Sequence, residues 1–244
     1  MRSLFHFFLG AAFASTCFFS YRELAARHRV TPLDPRIPVP ERFLSVHQAI
    51  LEQERRGPVG VLFLGDSITN CWQTVPWIWQ ESFARFNPCN AGVGFDQIQN
   101  VRWRVDNGVL DGIHPRVIVL LIGINNFVAG NNSPRMAATG VQDLIGHIRS
   151  KQPRARILLL GLFPCPALAR QVAETNTLLK TLEDGQNVFY LDVGSQIPPK
   201  DFPDGVHPNP SGYREWAGRM LPTLSKIYDE APSPDAGSAF TSVR

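Results

Sequence analysis

The sequence predicts an α/β fold in three layers, a parallel sheet of about five strands flanked by helices. Two observations predict it. From residue 59 onward, short aliphatic runs bounded by Gly, Pro or Asn alternate with helix-length stretches of mixed polar and apolar residues. The runs show no polar alternation of their own, as strands buried on both faces require. A third observation sets the size. With 244 residues, 44% hydrophobic and 18% charged, one domain can bury its apolar surface without metal or disulfide staples.

Taken in order, the chain opens on Arg2 and an apolar run over 4–19, which reads as a signal peptide or N-terminal membrane anchor over 1–21. Ala12-Phe13-Ala14 offers a cleavage site, and the run is close to the ~18 residues of a membrane span. The domain is therefore expected to be exported, periplasmic or extracellular, with inner-membrane anchoring through residues 4–21 as the variant. Pro32, Pro35, Pro38 and Pro40 make 22–40 a linker. Helical spacing of Phe43, Val46 and Ile50 predicts a helix over 41–56. Strands are predicted over 59–64, 87–91, 117–122, 157–160 and 188–191, the second weaker than the rest. Helices are predicted over 75–86, 96–106, 135–151, 168–183 and 209–228. One domain thus spans 41–229, and the Ser, Pro, Ala and Gly residues of 230–244 read as a disordered tail.

Composition excludes several functions. Lys plus Arg is 24 and Asp plus Glu is 21, a net charge of +3 with no basic stripe, so no nucleic-acid partner is expected. Cys17, Cys71, Cys89 and Cys165 include no C-x-x-C pair and lie near no histidine at ligand spacing, so no metal and no other cofactor is expected. Cys71 and Cys89 can pair in an oxidising compartment, though nothing in the sequence requires it. Trp72, Trp77 and Trp79 are expected in the core, and His114 and His147 in structural or solvent-facing positions. Arg102 and Arg104 are expected on a solvated or salt-bridged helix face.

Four segments carry residue types that do chemistry. Gly65-Asp66-Ser67 follows the first strand, where a serine stands exposed at a strand-to-helix turn. Asp204 lies three residues before His207, so one tight loop can supply a base and the acceptor that fixes its tautomer. Gly123-Ile124-Asn125-Asn126 ends the strongest strand, and an amide there can donate to an oxyanion. The glycine-rich turn over 90–96 can add a backbone donor, although it lacks the G-x-G-x-x-G spacing of a nucleotide loop. Singly, each segment is more commonly plain turn or helix-cap chemistry. Together they fall at strand carboxyl ends or before the last helix, which right-handed crossovers bring to one edge of the sheet.

In order and spacing these segments resemble the blocks of the SGNH (GDSL-type) hydrolases, over about residues 59–228. Trp79-Gln80-Glu81-Ser82-Phe83 and the stretch 101–108 are most similar to the branch of the platelet-activating-factor acetylhydrolase catalytic subunits, here in a bacterial-type exported form. The resemblance implies a flavodoxin-like sheet, Ser67 as nucleophile, His207 as base and Asp204 as its orienter. It implies an oxyanion hole from the Ser67 N–H, a backbone N–H at Gly94 or Phe95, and the Asn125 amide. Two positions depart from the pattern. Asn126 stands where the third block usually has Asp, as it does in the acetylhydrolase branch. Phe95 stands where the second block usually has Gly, which keeps the N–H but sets a bulky ring beside the acyl pocket.

The activity implied is a serine esterase that removes short acyl groups, acetyl by preference, through an acyl-enzyme. Export points to a small ester or an acylated polysaccharide as substrate, with exopolysaccharide (for example cellulose) acylation as one version. An O-acyltransferase shares every step up to the acyl-enzyme, and a lysophospholipase or thioesterase differs only in its ester. A non-catalytic binding protein on this fold would need none of the four residues together.

Overall fold

The computed structural model describes residues 41–128 and 132–232. The signal or anchor over 1–21, the linker over 22–40 and most of the expected tail lie outside those residues. The element order is α1 (Glu41–Glu54), β1 (Val61–Gly65), α2 (Ser67–Asn70), α3 (Pro76–Phe83), β2 (Pro88–Gly92), α4 (Ile98–Asp106), β3 (Val117–Leu121) and α5 (Ile124–Val128). It continues with α6 (Pro134–Lys151), β4 (Arg156–Leu160), α7 (Ala169–Lys180), β5 (Val188–Leu191) and α8 (Pro210–Glu230).

The five strands are parallel, in the order β2-β1-β3-β4-β5. This is the flavodoxin-like order, in which the chain first winds one way from β1 and then reverses to the other side. The reversal leaves a crevice beyond the carboxyl ends of β1 and β3, where Gly65 lies opposite Leu121. Every residue of β1 and β3 is buried, which is why their sequences are aliphatic without alternation. Helices α4, α6 and α7 lie side by side, and α3 packs on α8. Right-handed crossovers set these two groups on opposite faces.

Strand β2, Pro-Cys-Asn-Ala-Gly, is weak in the sequence because the turn after Ser67 holds it by polar contacts. The Asn70 side chain donates to the Gly92 carbonyl at 2.9 Å, and the Asn90 side chain donates to the Asn70 carbonyl at 3.2 Å. Gly92 has no alternative here, since a Cβ would sit 2.2 Å from the Asn70 nitrogen. Beneath that turn, Trp72 lies 4.6 Å from Tyr213 and 4.7 Å from Trp216, centroid to centroid, joining the Ser67 segment to α8. The Tyr213 hydroxyl donates to the Ile68 carbonyl at 2.7 Å, so the turn is braced by a buried hydrogen bond as well as by packing.

Three expectations need correction, and one possibility left open by the sequence is absent from the structure. Helix α8 runs to Glu230, and Ala231 is buried with its carbonyl accepting from Arg116 at 2.5 Å, so the folded chain outlasts residue 229. Trp77 is 56% exposed, unlike Trp72 and Trp79, because it sits in the first turn of α3 on the side away from α8 and the sheet. Cys71, Cys89 and Cys165 are free thiols, so Cys71 and Cys89 are not joined. Arg104 is not on a solvated face, and its position is described with the site below.

Candidate active site

Ser67 is the first residue of α2, two residues past the end of β1. Asp66 before it caps the helix, its Oδ1 accepting from the Ile68 N–H at 3.0 Å. The cap holds the chain in a sharp turn and leaves the serine hydroxyl at the crevice. Ser67 Oγ lies 2.8 Å from His207 Nε2, and His207 Nδ1 lies 2.7 Å from Asp204 Oδ2. A carboxylate only accepts, so Nδ1 carries the hydrogen. Nε2 is left bare and accepts from the Ser67 hydroxyl.

The loop bearing this pair is rigid for local reasons. Asp204 Oδ1 accepts from the N–H groups of Val206 at 2.9 Å and His207 at 2.7 Å, with Gly205 at φ +79° making the turn. Asn209 then caps α8, accepting from the Gly212 N–H at 2.9 Å. Burial pushes the Asp204 carboxyl up, but the bonds from His207 and Val206 and the nearby imidazole pull it down to about 2. Burial pulls His207 down. The hydrogen bond and charge of Asp204, with Asp66 adding, outweigh it and leave the imidazole above its ordinary 6.5.

Gly94 and Phe95 occupy the two central positions of a turn closed by the Asp96 N–H donating to the Val93 carbonyl at 3.2 Å. The turn is tied to β1, because the Val93 N–H donates to the Gly65 carbonyl at 3.1 Å. Phe95 has φ +66°, at the position where such turns favour glycine. Holding an L-residue there costs about 1–2 kcal/mol. Asn125, in the first turn of α5, is buried, and its side-chain amide donates to the Asp96 carbonyl at 2.9 Å. Asn126 faces the other way: its Oδ1 accepts from the Ile98 N–H at 3.1 Å and its amide donates to Gln99 at 3.1 Å. All six expected site residues thus gather on one edge of the sheet.

Several contributors escaped the sequence reading. Asp66 is 1% exposed, and its Oδ2 has no hydrogen-bond partner among the described residues. Burial raises it to about 7, against the Ile68 N–H and the imidazole of His207. Arg104 is 2% exposed and lies directly behind the Ser67 and 92–96 turns. It donates to the carbonyls of Ala91 at 2.6 Å and Gly65 at 3.1 Å and pairs with Asp96 at 2.6 Å. Burial pushes Asp96 up to about 6 against the pull of that guanidinium, so at neutral pH the pair is ionised. One signal for Arg104 was available, because it stands three residues after Val101 and one before Val105, on the inward face of its helix. Gln97, Gln99 and Asn100 are likewise buried, linking the amides of this loop to one another. Among the described residues, no group of three or more His, Cys, Asp or Glu could hold a metal ion.

Known proteins resemble this chain. Residues 63–215 match the GDSL-like Lipase/Acylhydrolase family. The platelet-activating factor acetylhydrolase IB subunit alpha2 of Homo sapiens is 31% identical over 204 residues, 79% of this chain and 87% of that one. Among solved structures, a carbohydrate esterase family 3 protein from Talaromyces cellulolyticus superposes with a TM-score of 0.60 at 20% identity, covering 70% of this chain and 99% of that one. A mutant acetyl esterase holding an acetate ion also gives 0.60 at 20% identity, covering 69% and 97%. These two share the fold. The length of the family match and the identity to the acetylhydrolase decide the rest: the chain belongs to the GDSL-like lipase/acylhydrolase family and is a carboxylic ester hydrolase.

Proposed function

We propose that this hydrolase removes short acyl groups, acetyl foremost, from sugar hydroxyls of a polysaccharide outside the cytoplasm, with Ser67 as nucleophile. The observation that carries the mechanism is the continuous run Ser67–His207–Asp204 at 2.8 and 2.7 Å. Ser67 Oγ attacks the ester carbonyl while its proton passes to His207 Nε2. The charge that forms on the carbonyl oxygen is met by the N–H of Ser67, a backbone N–H at Gly94 or Phe95, and the second amide hydrogen of Asn125. Collapse of the tetrahedral species breaks the ester C–O bond, and His207 returns its proton to the departing sugar oxygen. Water then repeats the sequence on the acyl-enzyme, releasing the acid and restoring Ser67. Asp204 holds the imidazole tautomer throughout and offsets the imidazolium charge.

The substrate reading has three supports. The apolar run over 4–19 accords with export. The acetylhydrolase relative bears the name of an enzyme acting on an acetyl group, and a structural neighbour that of a carbohydrate esterase. Phe95 stands where the family pattern has Gly, and a ring at that position accords with a small acyl group. The test is a fluorophosphonate probe together with acetate release from acetylated xylan and from acetylated cellulose. Wild type is labelled and releases acetate, and Ser67→Ala does neither. Labelling with hydrolysis of a lysophospholipid but of no acetylated polysaccharide would transfer the enzyme to lipid substrates.

A further inference from the structure

We propose that Arg104 is the positioning residue that fixes the oxyanion donors against the nucleophile, a role that rests on the esterase mechanism above. Its guanidinium makes three contacts, and each acceptor belongs to a segment that carries a donor. The Gly65 carbonyl, 3.1 Å away, lies two residues before the Ser67 N–H. The Ala91 carbonyl at 2.6 Å and the Asp96 carboxylate at 2.6 Å bracket the turn holding Gly94 and Phe95. The Asp96 carbonyl in turn receives the Asn125 amide at 2.9 Å, so the third donor is tied to the same anchor. One planar cation thereby spans the carboxyl ends of β1 and β2 and the turn between β2 and α4.

The contacts are dry, with Arg104 and Asp96 both buried, so each is undiluted by solvent. Strand pairing between β1 and β2 ends at Gly65 and Gly92, so residues 94–96 lie beyond the sheet ladder. The Val93-to-Gly65 bond and the Asn70 bonds to Gly92 and Asn90 tie the two segments as far as residue 93, and the arginine carries the tie on to Asp96 at the far end of the turn. Lysine carries the charge but offers one nitrogen in place of the rigid fork, and cannot hold three acceptors set on different segments. Arg102, two residues earlier, has no such role. It pairs at the surface with Asp106 at 3.3 Å and Asp143 at 3.0 Å.

The experiment compares the full chain with Arg104→Lys, Asp96→Asn and, as control, Arg102→Lys. Four quantities are measured: kcat and KM for p-nitrophenyl acetate, affinity for phenylboronic acid, thermal melting, and amide hydrogen exchange over 91–97. The boronate forms a tetrahedral adduct on a nucleophilic serine and so reports the oxyanion pocket without turnover. Donors displaced by about 1 Å cost on the order of 10²-fold. Arg104→Lys is therefore expected to lose about that factor in kcat and a similar factor in boronate affinity, with KM within about twofold. Exchange over 91–97 rises while the rest of the sheet is unchanged. Asp96→Asn moves the same way by a smaller factor, and Arg102→Lys matches wild type.

The proposal is overturned if folded Arg104→Lys keeps kcat and boronate affinity per folded molecule. Should that variant not fold, unaltered boronate affinity in folded Asp96→Asn overturns it equally. If wild type itself neither hydrolyses esters nor takes the fluorophosphonate label, the esterase mechanism fails. Selective exchange over 91–97 in Arg104→Lys still decides whether the arginine holds the loop.

Discussion

His207 shows how a single side chain is set by its neighbours. Its ring nitrogens have separate tasks, one hydrogen-bonded to Asp204 and the other facing Ser67, and the Asp204 contact raises its pKa above 6.5. Only the neutral ring can accept the serine proton, so kcat/KM is expected to rise with pH through an inflection above 6.5 rather than at it. A profile of kcat/KM against pH with its inflection below 6 would mean that burial outweighs Asp204. Phe95 gives a second residue-scale prediction. Its φ of +66° is strained for any side chain, and the proposed acyl site gives the ring a purpose that glycine would not serve. Phe95→Gly is expected to raise kcat/KM for a butyryl ester relative to an acetyl ester by roughly 10-fold or more, the worth of extra methylenes in an apolar pocket. An unchanged ratio would remove the ring from the acyl site. The Ser67–His207–Asp204 run was legible in the sequence because Ser67 and the Asp204–His207 loop stand out by residue type and position. The strain at Phe95 was not, since only the turn it occupies reveals the positive φ.

At the scale of elements, the strands were legible wherever burial on both faces forces an aliphatic run, as in Val117–Leu121. Where polar contacts replace packing, the signal fades. Strand β2 is held by Asn70 and Asn90, and the start of α4 is held by the Asn126 amide of α5. Arg104 was legible as salt-bridged but not as buried, for the same reason: a charged residue on a helix reads as surface until the chain supplies it with buried acceptors. The pair Asn125 and Asn126 separates chemistry from scaffolding within one turn. Asn125→Ala removes the oxyanion donor proposed above and is expected to lower kcat by about 10²–10³ with little change in KM. Asn126→Ala strips the Ile98 N–H and the Gln99 side chain of a buried partner. It is expected to cost about 1–3 kcal/mol of stability while sparing kcat per folded molecule. Thermal melting beside kinetics distinguishes them. Equal kinetic losses in both variants would mean that α5 acts through position alone and that the Asn125 amide has no direct part.

Across the whole molecule, buried acids set how stability responds to pH. Besides Asp66 and Asp96, Glu54 at the end of α1 is buried, its Oε1 lacking a hydrogen-bond partner among the described residues. Burial raises Glu54 to about 8, against the attraction of Arg104 and Arg55. Asp66 and Asp96 are raised to about 7 and about 6. In the unfolded chain these groups return to ordinary values of 4.5 for Glu and 3.8 for Asp. Between those limits the folded state binds more protons than the unfolded one, so stability falls as pH rises. The contribution is complete below the ordinary values and is lost as pH climbs through about 6 to 8. Asp204 and Asp184 work in the opposite sense. Both are depressed to about 2, so their stabilisation is present above 3.8 and disappears only as pH falls toward 2. The melting temperature is therefore expected to peak in mildly acidic solution and decline toward alkaline pH. Glu54→Gln isolates the largest raised value. Glutamine resembles the protonated acid, so the variant should melt near wild type at pH 5. At pH 8.5, where wild type must hold a charge out of water, it should melt higher. Parallel melting curves across that range would show that the Glu54 carboxyl keeps its solvent when ionised, and the alkaline decline would then belong to Asp66 and Asp96.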